Sequence, residues 1–295
     1  MLTKPILVTG SRGLIGKSII QRLRTRGAKI REFDIAEDAA SDLCNSLAIA
    51  NALQDIRGVL HLGGVSRVLW GEKDPETCIL ANTGATKSIL DGCLADPKRP
   101  WVIYASSREV YGQSEVLPVD EDFQLHPMNT YAKSKVRSEA YCQAAAREGL
   151  LVNIVRFSSV YGIATDHPDR VAPAFARAAA LGGAIRLEGK DNTLDFTYID
   201  DVVEGLYRLV SLTEDRQQLP PVHLVSGRGV RLEELAQLAQ KAADHDIEVY
   251  EDPPRNYDVS RFIGSPRRAL ELLGWKATTP IEDGFLSLIQ KIKAM

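Results

Sequence analysis

The sequence predicts an α/β fold, a doubly wound parallel sheet joined to a smaller, discontinuous α/β domain. Three observations carry that prediction. Over the first 160 residues, short apolar runs at 5–9, 28–33, 57–62, 101–105 and 151–156 alternate with helical patterns, including 83–95 and 129–148. The first run passes directly into a glycine turn at Gly10, Gly13 and Gly16, and then into an amphipathic stretch from Lys17 to Arg24. After Gly162 the regular alternation stops.

The glycine turn is the first element with chemical content. Gly10 permits a tight turn, Gly13 lets backbone approach a ligand closely, and Gly16 lets the helix pack against the strand. Strand, glycine turn and helix in this order are the context of a dinucleotide pyrophosphate held by free N–H groups at a helix N-terminus. The second strand ends at Asp34, whose carboxylate accepts hydrogen bonds from ribose hydroxyls and repels a 2′-phosphate. Arg12 and Arg31 lie nearby and pull toward the phosphorylated cofactor; the strand-end acid outweighs them, and NAD is expected.

Later elements follow from pattern and turn chemistry. Residues 171–182 are Ala-rich and helical, a short strand and turn precede Asp195, and 192–211 read as a return to the first domain. Residues 212–221 are polar, end in paired prolines and read as a surface connection. Leu232 to Ala243 form an amphipathic helix, and Ser265 and Pro266 are expected to begin another as N-cap and first-turn proline. The expected division is 1–162 for a cofactor domain, rejoined by 192–211, and 163–295 for a substrate domain.

Composition narrows the class. A chain of 295 residues supports one large or two modest domains with ample core. A net charge of −3 gives no basic footprint for nucleic acid, and Arg22, Arg24 and Arg26 read as one solvated helix face. No apolar run approaches the roughly 18 residues that span a membrane. Met1 to Pro5 lead straight into the first strand, leaving no room for a signal peptide. Cys44, Cys78, Cys93 and Cys142 show no metal-like pairing and do not make a disulfide scaffold. A reduced, cytoplasmic protein without a metal is expected.

Tyr131 and Lys135, four apart on a helix, share one face. An ammonium beside a phenol favours phenolate and pulls its pKa down from about 10 toward working pH. Such a group is a general base for an alcohol proton as hydride leaves the carbon.

Glycine loop, strand-end acid and Tyr/Lys pair make the chain resemble the extended short-chain dehydrogenase/reductase family, within it the NAD-dependent nucleotide-sugar epimerases and dehydratases. The resemblance spans nearly the whole chain and implies a Rossmann-type fold. It is carried further by His61 to Gly64, Asp74 and Pro75, and Asn82 to Thr86. Ser106 to Gly112, Arg156 to Gly162, Leu194 to Asp201, Arg255 to Val259 and Leu273 to Trp275 continue it in order. The resemblance implies a catalytic Ser107, Tyr131 and Lys135, with Tyr131 as base, Lys135 holding the phenolate and the nicotinamide ribose, and Ser107 on the reacting oxygen. It implies a cofactor site of Gly10, Arg12, Gly13, Leu14, Ile15, Asp34, Leu62, Gly63 and Gly64, with Asp42 and Leu43 against the adenine. Substrate contacts would fall on Ser66, Ser107, Ser159 and Arg255, the last as a diphosphate clamp.

Departures from the family pattern shape the expected reaction. Where related 4,6-dehydratases carry an acid and then a Glu after the catalytic Ser or Thr, this chain has Arg108 and Glu109, and a guanidinium does not donate a proton. Epimerisation at C4 through a transient keto sugar needs neither residue and is expected ahead of dehydration. Leu194 stands where relatives often have a phosphate-neutralising Arg, and Ser159 where many have Asn. An NAD-dependent dehydrogenase of a free sugar acid or polyol therefore stays open beside the nucleotide-sugar epimerase, as does a dinucleotide-holding scaffold without turnover. The resemblance also implies a homodimer in which helices near 83–95 and 131–148 pair across a two-fold axis; Ile89, Leu90, Cys93, Tyr141 and Ala145 suit that role or packing within one chain.

Overall fold

The computed structural model describes residues 4–295, so Met1, Leu2 and Thr3, on which the expectation about a leader rests, lie outside the described residues. In chain order the first half runs β1 (Ile6–Thr9), α1 (Leu14–Thr25), β2 (Ile30–Phe33), α2 (Ser46–Ala52), β3 (Gly58–His61), α3 (Val68–Lys73), α4 (Pro75–Ile79), α5 (Ala85–Ala95), β4 (Trp101–Ser107), α6 (Thr130–Arg147) and β5 (Val152–Phe157). The second runs β6 (Ser159–Tyr161), α7 (Val171–Leu181), β7 (Ile185–Glu188), β8 (Thr193–Tyr198), α8 (Ile199–Glu214), β9 (Val222–Leu224), β10 (Gly229–Arg231), α9 (Leu232–Ala242), β11 (Val249–Asp252), α10 (Arg267–Leu273) and α11 (Ile281–Lys293).

Six strands form one sheet in the order β2-β1-β3-β4-β5-β9, every neighbour parallel. The chain leaves β1 toward one edge for β2 and then crosses back to β3. The order thus reverses between β1 and β3, the place where such sheets open a crevice at their carboxyl ends. Strand alternation feeds two cores. Ile6, Val8 and Ile103 face α1 and α8, with Ile19, Leu23, Leu206 and Leu209. Leu7, Val59, Val102 and Ile154 face α2, α5 and α6, with Ile49, Ile89, Cys93 and Ala145. Because helices cover both faces, the strands are continuous apolar runs.

The sixth strand departs from the expected division. Val222–Leu224 lies beyond the boundary at 162, yet it pairs with β5 along Val155 to Phe157. Of the stretch 192–211 expected to rejoin the first domain, Thr193–Tyr198 instead pairs with β6 and β10, while α8 packs beside α1, where Arg22 donates to Glu204 at 2.6 Å. That pair, with Arg22 and Arg26 over the Tyr207 ring, ties down a cluster expected to be a free solvated face. Three small strands, β10-β8-β6, and the pair β11-β7 stand beside the large sheet with α7, α9 and α11 packed around them.

Two boundaries differ from expectation for local reasons. A π-helical turn, Leu80–Gly84, precedes α5, so the helix expected from 83 starts earlier with a wider first turn. The last short helix is capped by Pro266, with Ser265 one place further out; its Oγ only reaches the Arg267 N–H at 3.4 Å. Ile89, Leu90, Cys93 and Ala145 are buried in the chain's own core, with Tyr141 packed against it. Of the two roles open to them, they fill the intrachain one.

Candidate active site

The carboxyl ends of β1 to β5 open into one cleft of about 1100 Å³, above the roughly 300–1,000 Å³ of a single-ligand pocket. Every residue expected at the site lines it: Gly10, Arg12, Gly13, Leu14, Ile15, Asp34, Asp42, Leu43, Leu62, Gly63, Gly64, Ser66, Ser107, Tyr131, Lys135, Ser159 and Arg255. They lie in two halves that meet at Ser107 and Tyr131.

One half is made of backbone. Gly10 adopts φ +66° and touches the β3 turn so closely that a Cβ there would sit 2.7 Å from the Gly63 Cα. A Cβ on Gly16 would meet the Gly10 carbonyl oxygen at 2.1 Å. Strand end, turn and helix therefore approach without side chains between them. No side chain caps α1 at Gly13 and no acid stands in its first turn, so its N-terminal N–H groups face the cleft uncompensated. Asp34 is fixed at the end of β2, accepting from the Arg12 N–H at 2.8 Å and the Ala36 N–H at 2.9 Å. Beneath the loop from Leu62 to Gly64, the Thr9 hydroxyl accepts from the Gly63 N–H at 3.1 Å and meets His61 Nδ1 at 2.7 Å. His61 Nε2 lies 3.1 Å from the Thr86 hydroxyl, which donates to the Asn82 carbonyl at 2.6 Å. Burial and the nearby Lys135 hold His61 down to about 3, so it is neutral here.

These residues fit NAD. The turn leaves room that any Cβ would fill, the helix end offers donors, and a carboxylate stands at the ribose position. The two cations that would favour a 2′-phosphate are occupied: the Arg12 side chain pairs with Glu37, and Arg31 donates to the Ala52 carbonyl at 2.8 Å and the Gln54 carbonyl at 2.5 Å.

At the junction, Asn129 caps α6 by accepting from the Ala132 N–H at 2.8 Å, which turns Tyr131 of the first helical turn toward Ser107 at the end of β4. The Ser107 Oγ accepts from the Glu109 N–H at 3.2 Å. Lys135, one turn on, donates to the Ala105 carbonyl at 2.9 Å and lies 5.7 Å from the Tyr131 ring centre. The expected depression of the phenol is absent from the chain by itself. Burial pushes Tyr131 up to about 12, with Ser107 pulling it back, and burial pushes Lys135 down to about 8. Desolvation outweighs the neighbouring ammonium because both groups are shut from water.

The other half is made of charged side chains. Arg255, expected as a diphosphate clamp, is ion-paired through Nε to Asp258 at 2.8 Å and Glu188 at 3.2 Å. Arg108 Nη2 lies 3.0 Å from Glu109 Oε1, and Glu109 Oε2 accepts from Asn129 at 3.2 Å. Leu194 lines the wall where an arginine is common in the resembled family. Across the cleft Arg67 donates to Asp169 at 2.5 Å, and the edge of Trp70 meets the His167 ring at 4.8 Å. Glu188, Asp258 and the Arg67–Asp169 bridge are additions to the expected set. Asp258 stands three residues after Arg255, and Glu188 leaves a signal at the end of a strand whose Ile185 and Leu187 are buried while Arg186 is exposed. Among the described residues no group of His, Cys, Asp or Glu could hold a metal ion, and the four cysteines are free.

Comparison with known proteins agrees with this geometry. GDP-6-deoxy-D-mannose reductase of Pseudomonas aeruginosa is 28% identical over 305 residues, covering 98% of this chain and 97% of that one. UDP-glucuronate 4-epimerase 6 of Arabidopsis thaliana is 25% identical, covering 97% and 70%. The solved structure of MoeE5 in complex with UDP-glucose and NAD matches with a TM-score of 0.90 at 25% identity, covering 98% of this chain and 99% of that one. The sequence profile of the NAD dependent epimerase/dehydratase family matches residues 6–219, and with its Rossmann-type sheet and glycine cradle the chain belongs to that family.

Proposed function

We propose that this chain is an NAD-dependent epimerase of a nucleoside-diphosphate sugar, acting at C4 through a keto sugar that stays bound. The observation that carries the reading is the convergence of Ser107, Tyr131 and Lys135 where the backbone-built half of the cleft meets the charged half. When bound, NAD supplies an acceptor for hydride from the carbon and, oxidised, a positive charge beside the phenol. Tyr131 takes the proton of the sugar hydroxyl, and the Ser107 hydroxyl holds that oxygen. Lys135, as ammonium, stabilises the phenolate against the burial that otherwise keeps Tyr131 protonated. Rotation of the keto sugar presents its other face; hydride then returns to C4 from that side while Tyr131 gives its proton to the carbonyl oxygen, forming the inverted hydroxyl.

Dehydration is disfavoured on geometric grounds. Glu109 would have to act as base, but Arg108 and Asn129 occupy its two oxygens, and no acid precedes it. A second reading, net oxidation or reduction at the same carbon, is favoured by the near full-length likeness to a GDP-sugar reductase. It uses the same three side chains.

Proton NMR of the enzyme with stoichiometric NAD and UDP-, dTDP- and GDP-sugars tests the proposal. A new anomeric signal at constant NAD is the expected result. Stoichiometric NADH with a keto product would instead establish net redox, and silence with every nucleotide sugar would refute the nucleotide-sugar reading. We further propose a cytoplasmic homodimer joined across the outer faces of α5 and α6, to be checked by cell fractionation and sedimentation. No helix among the described residues is long and apolar enough to cross a membrane.

A further inference from the structure

Arg108 has no role in the chemistry above, yet it directly follows Ser107 and lines the cleft. Its side chain is 13% exposed. A buried guanidinium is normally satisfied by hydrogen bonds. This one is not. Nη1 is shut from solvent with no partner, and Nη2 meets Glu109 only as an ion contact at 3.0 Å. The plane is steadied from behind by the Phe262 ring, 5.9 Å away. Arg255, beyond Asp258 on the same wall, differs in that its Nε is already held by Asp258 at 2.8 Å and Glu188 at 3.2 Å. Arg108 therefore presents an unsatisfied donor to the substrate half.

The position of Arg108 says what would satisfy it. Ser107 and Tyr131 fix the reacting oxygen, so the residue next to Ser107 meets a ring substituent beside the reacting carbon, not the far end of the ligand. A hydroxyl there would give the fork one neutral acceptor, whereas a carboxylate gives charge-assisted, paired acceptors. Resting on the nucleotide-sugar reading above, we infer that Arg108 is a specificity-determining residue that pairs with a carboxylate on the sugar ring, so that the substrate is a nucleoside-diphosphate hexuronate. The acids beside it do not close the site to an anion. Burial raises both Glu109 and Asp258 toward their neutral forms, and Glu109 already engages Asn129 through Oε2.

The test is kcat and KM of the full chain with NAD on matched UDP- and GDP-linked hexose and hexuronate pairs, and on free hexuronates. The hexuronate nucleotide is expected to exceed its neutral partner in kcat/KM by about 100-fold or more. Arg108→Gln should erase that preference mainly through KM, and Arg108→Lys should restore part of it. Because Arg108→Gln leaves Glu109 buried without its cation, the Arg108→Gln/Glu109→Gln pair guards against misfolding, with NAD binding as the check. Equal or better turnover of neutral hexose nucleotides would overturn the inference and leave the nucleotide-sugar reading intact. Turnover of free hexuronates alone would support the carboxylate contact and sink the nucleotide. No binding or turnover of any of them would overturn both.

Discussion

The two halves of the cleft are built on opposite principles. The cofactor half is a backbone surface in which glycines touch strand ends at distances no Cβ permits, and its Asp34 carboxylate is pinned by two main-chain N–H groups. The substrate half is an alternating row of side-chain charges, Glu188, Arg255, Asp258, Arg108 and Glu109, drawn from separate segments of the chain. A backbone site is rigid and intolerant of added atoms. A side-chain site rearranges at modest cost, so ligand choice can change there while the cofactor stays the same. The likeness of this chain to both a reductase and an epimerase fits that division.

The largest expected effect lies at the junction. Tyr131→Phe removes the proton acceptor and should lower kcat by about 10³-fold, within the roughly 10²–10⁴ range of a general base. NAD affinity should stay within a few-fold, since the pyrophosphate and ribose contacts are elsewhere. Stopped-flow turnover beside calorimetric NAD binding measures both. Retained turnover would remove Tyr131 from the chemistry.

Next comes the rigidity of the cofactor half. Gly16→Ala forces a methyl to 2.1 Å from the Gly10 carbonyl oxygen, which is backbone and has nowhere to go. A destabilisation of about 1–3 kcal/mol and at least about a tenfold loss of NAD affinity are expected, read by thermal melting and titration. A variant that melts and binds like the parent would show that the turn yields, and the contrast with the other half would fail.

The same contrast governs how much of the fold and the site is legible in the sequence. Gly10, Gly13 and Gly16 announce the cofactor half because backbone geometry admits no other residue at Gly10 and Gly16 and little room at Gly13, and a spacing rule suffices to read them. Asp34 is equally local, standing at the end of the strand that follows. The ion pairs around Arg255 are harder to read: Asp258 stands three residues on, but Glu188 reaches Arg255 only because β7 and the segment after β11 fold together. The pKa of Tyr131 departs from expectation for a related reason. The i, i+4 lysine is visible in the chain, but the burial that outweighs it is not. The edge strand β9 escapes a pattern reading because three residues after a proline pair carry too little periodicity.

Asp34→Ala probes the one side chain on which cofactor choice depends. Loss of the ribose acceptor should weaken NAD about tenfold while affecting NADP less, because removing the carboxylate also removes its repulsion of a 2′-phosphate. NADP should still not bind well, since Arg12 remains paired with Glu37 and Arg31 with two carbonyls. Parallel titrations with both cofactors decide this, and equal losses would contradict the ribose role.

The smallest effect is the most diagnostic of the charged half. Glu188 and Arg255 are both partly exposed, at 42% and 36%, so their 3.2 Å pair has the energy of a screened surface contact, about 0.2–1 kcal/mol. If Arg255 meets the diphosphate, Glu188 competes with the substrate for it, and every substrate molecule must first break that pair. Glu188→Gln removes the competing charge while keeping the shape. Nucleotide-sugar KM should therefore fall about two- to fivefold with kcat unchanged, and free UDP should tighten by the same factor. An increase in KM would mean that Glu188 itself holds the substrate. No change would mean that the diphosphate lies away from Arg255, and the Glu188–Arg255 end of the row would then be scaffold. A gain in affinity on deleting a side chain is not expected anywhere in the cofactor half, where the site is already complete in backbone.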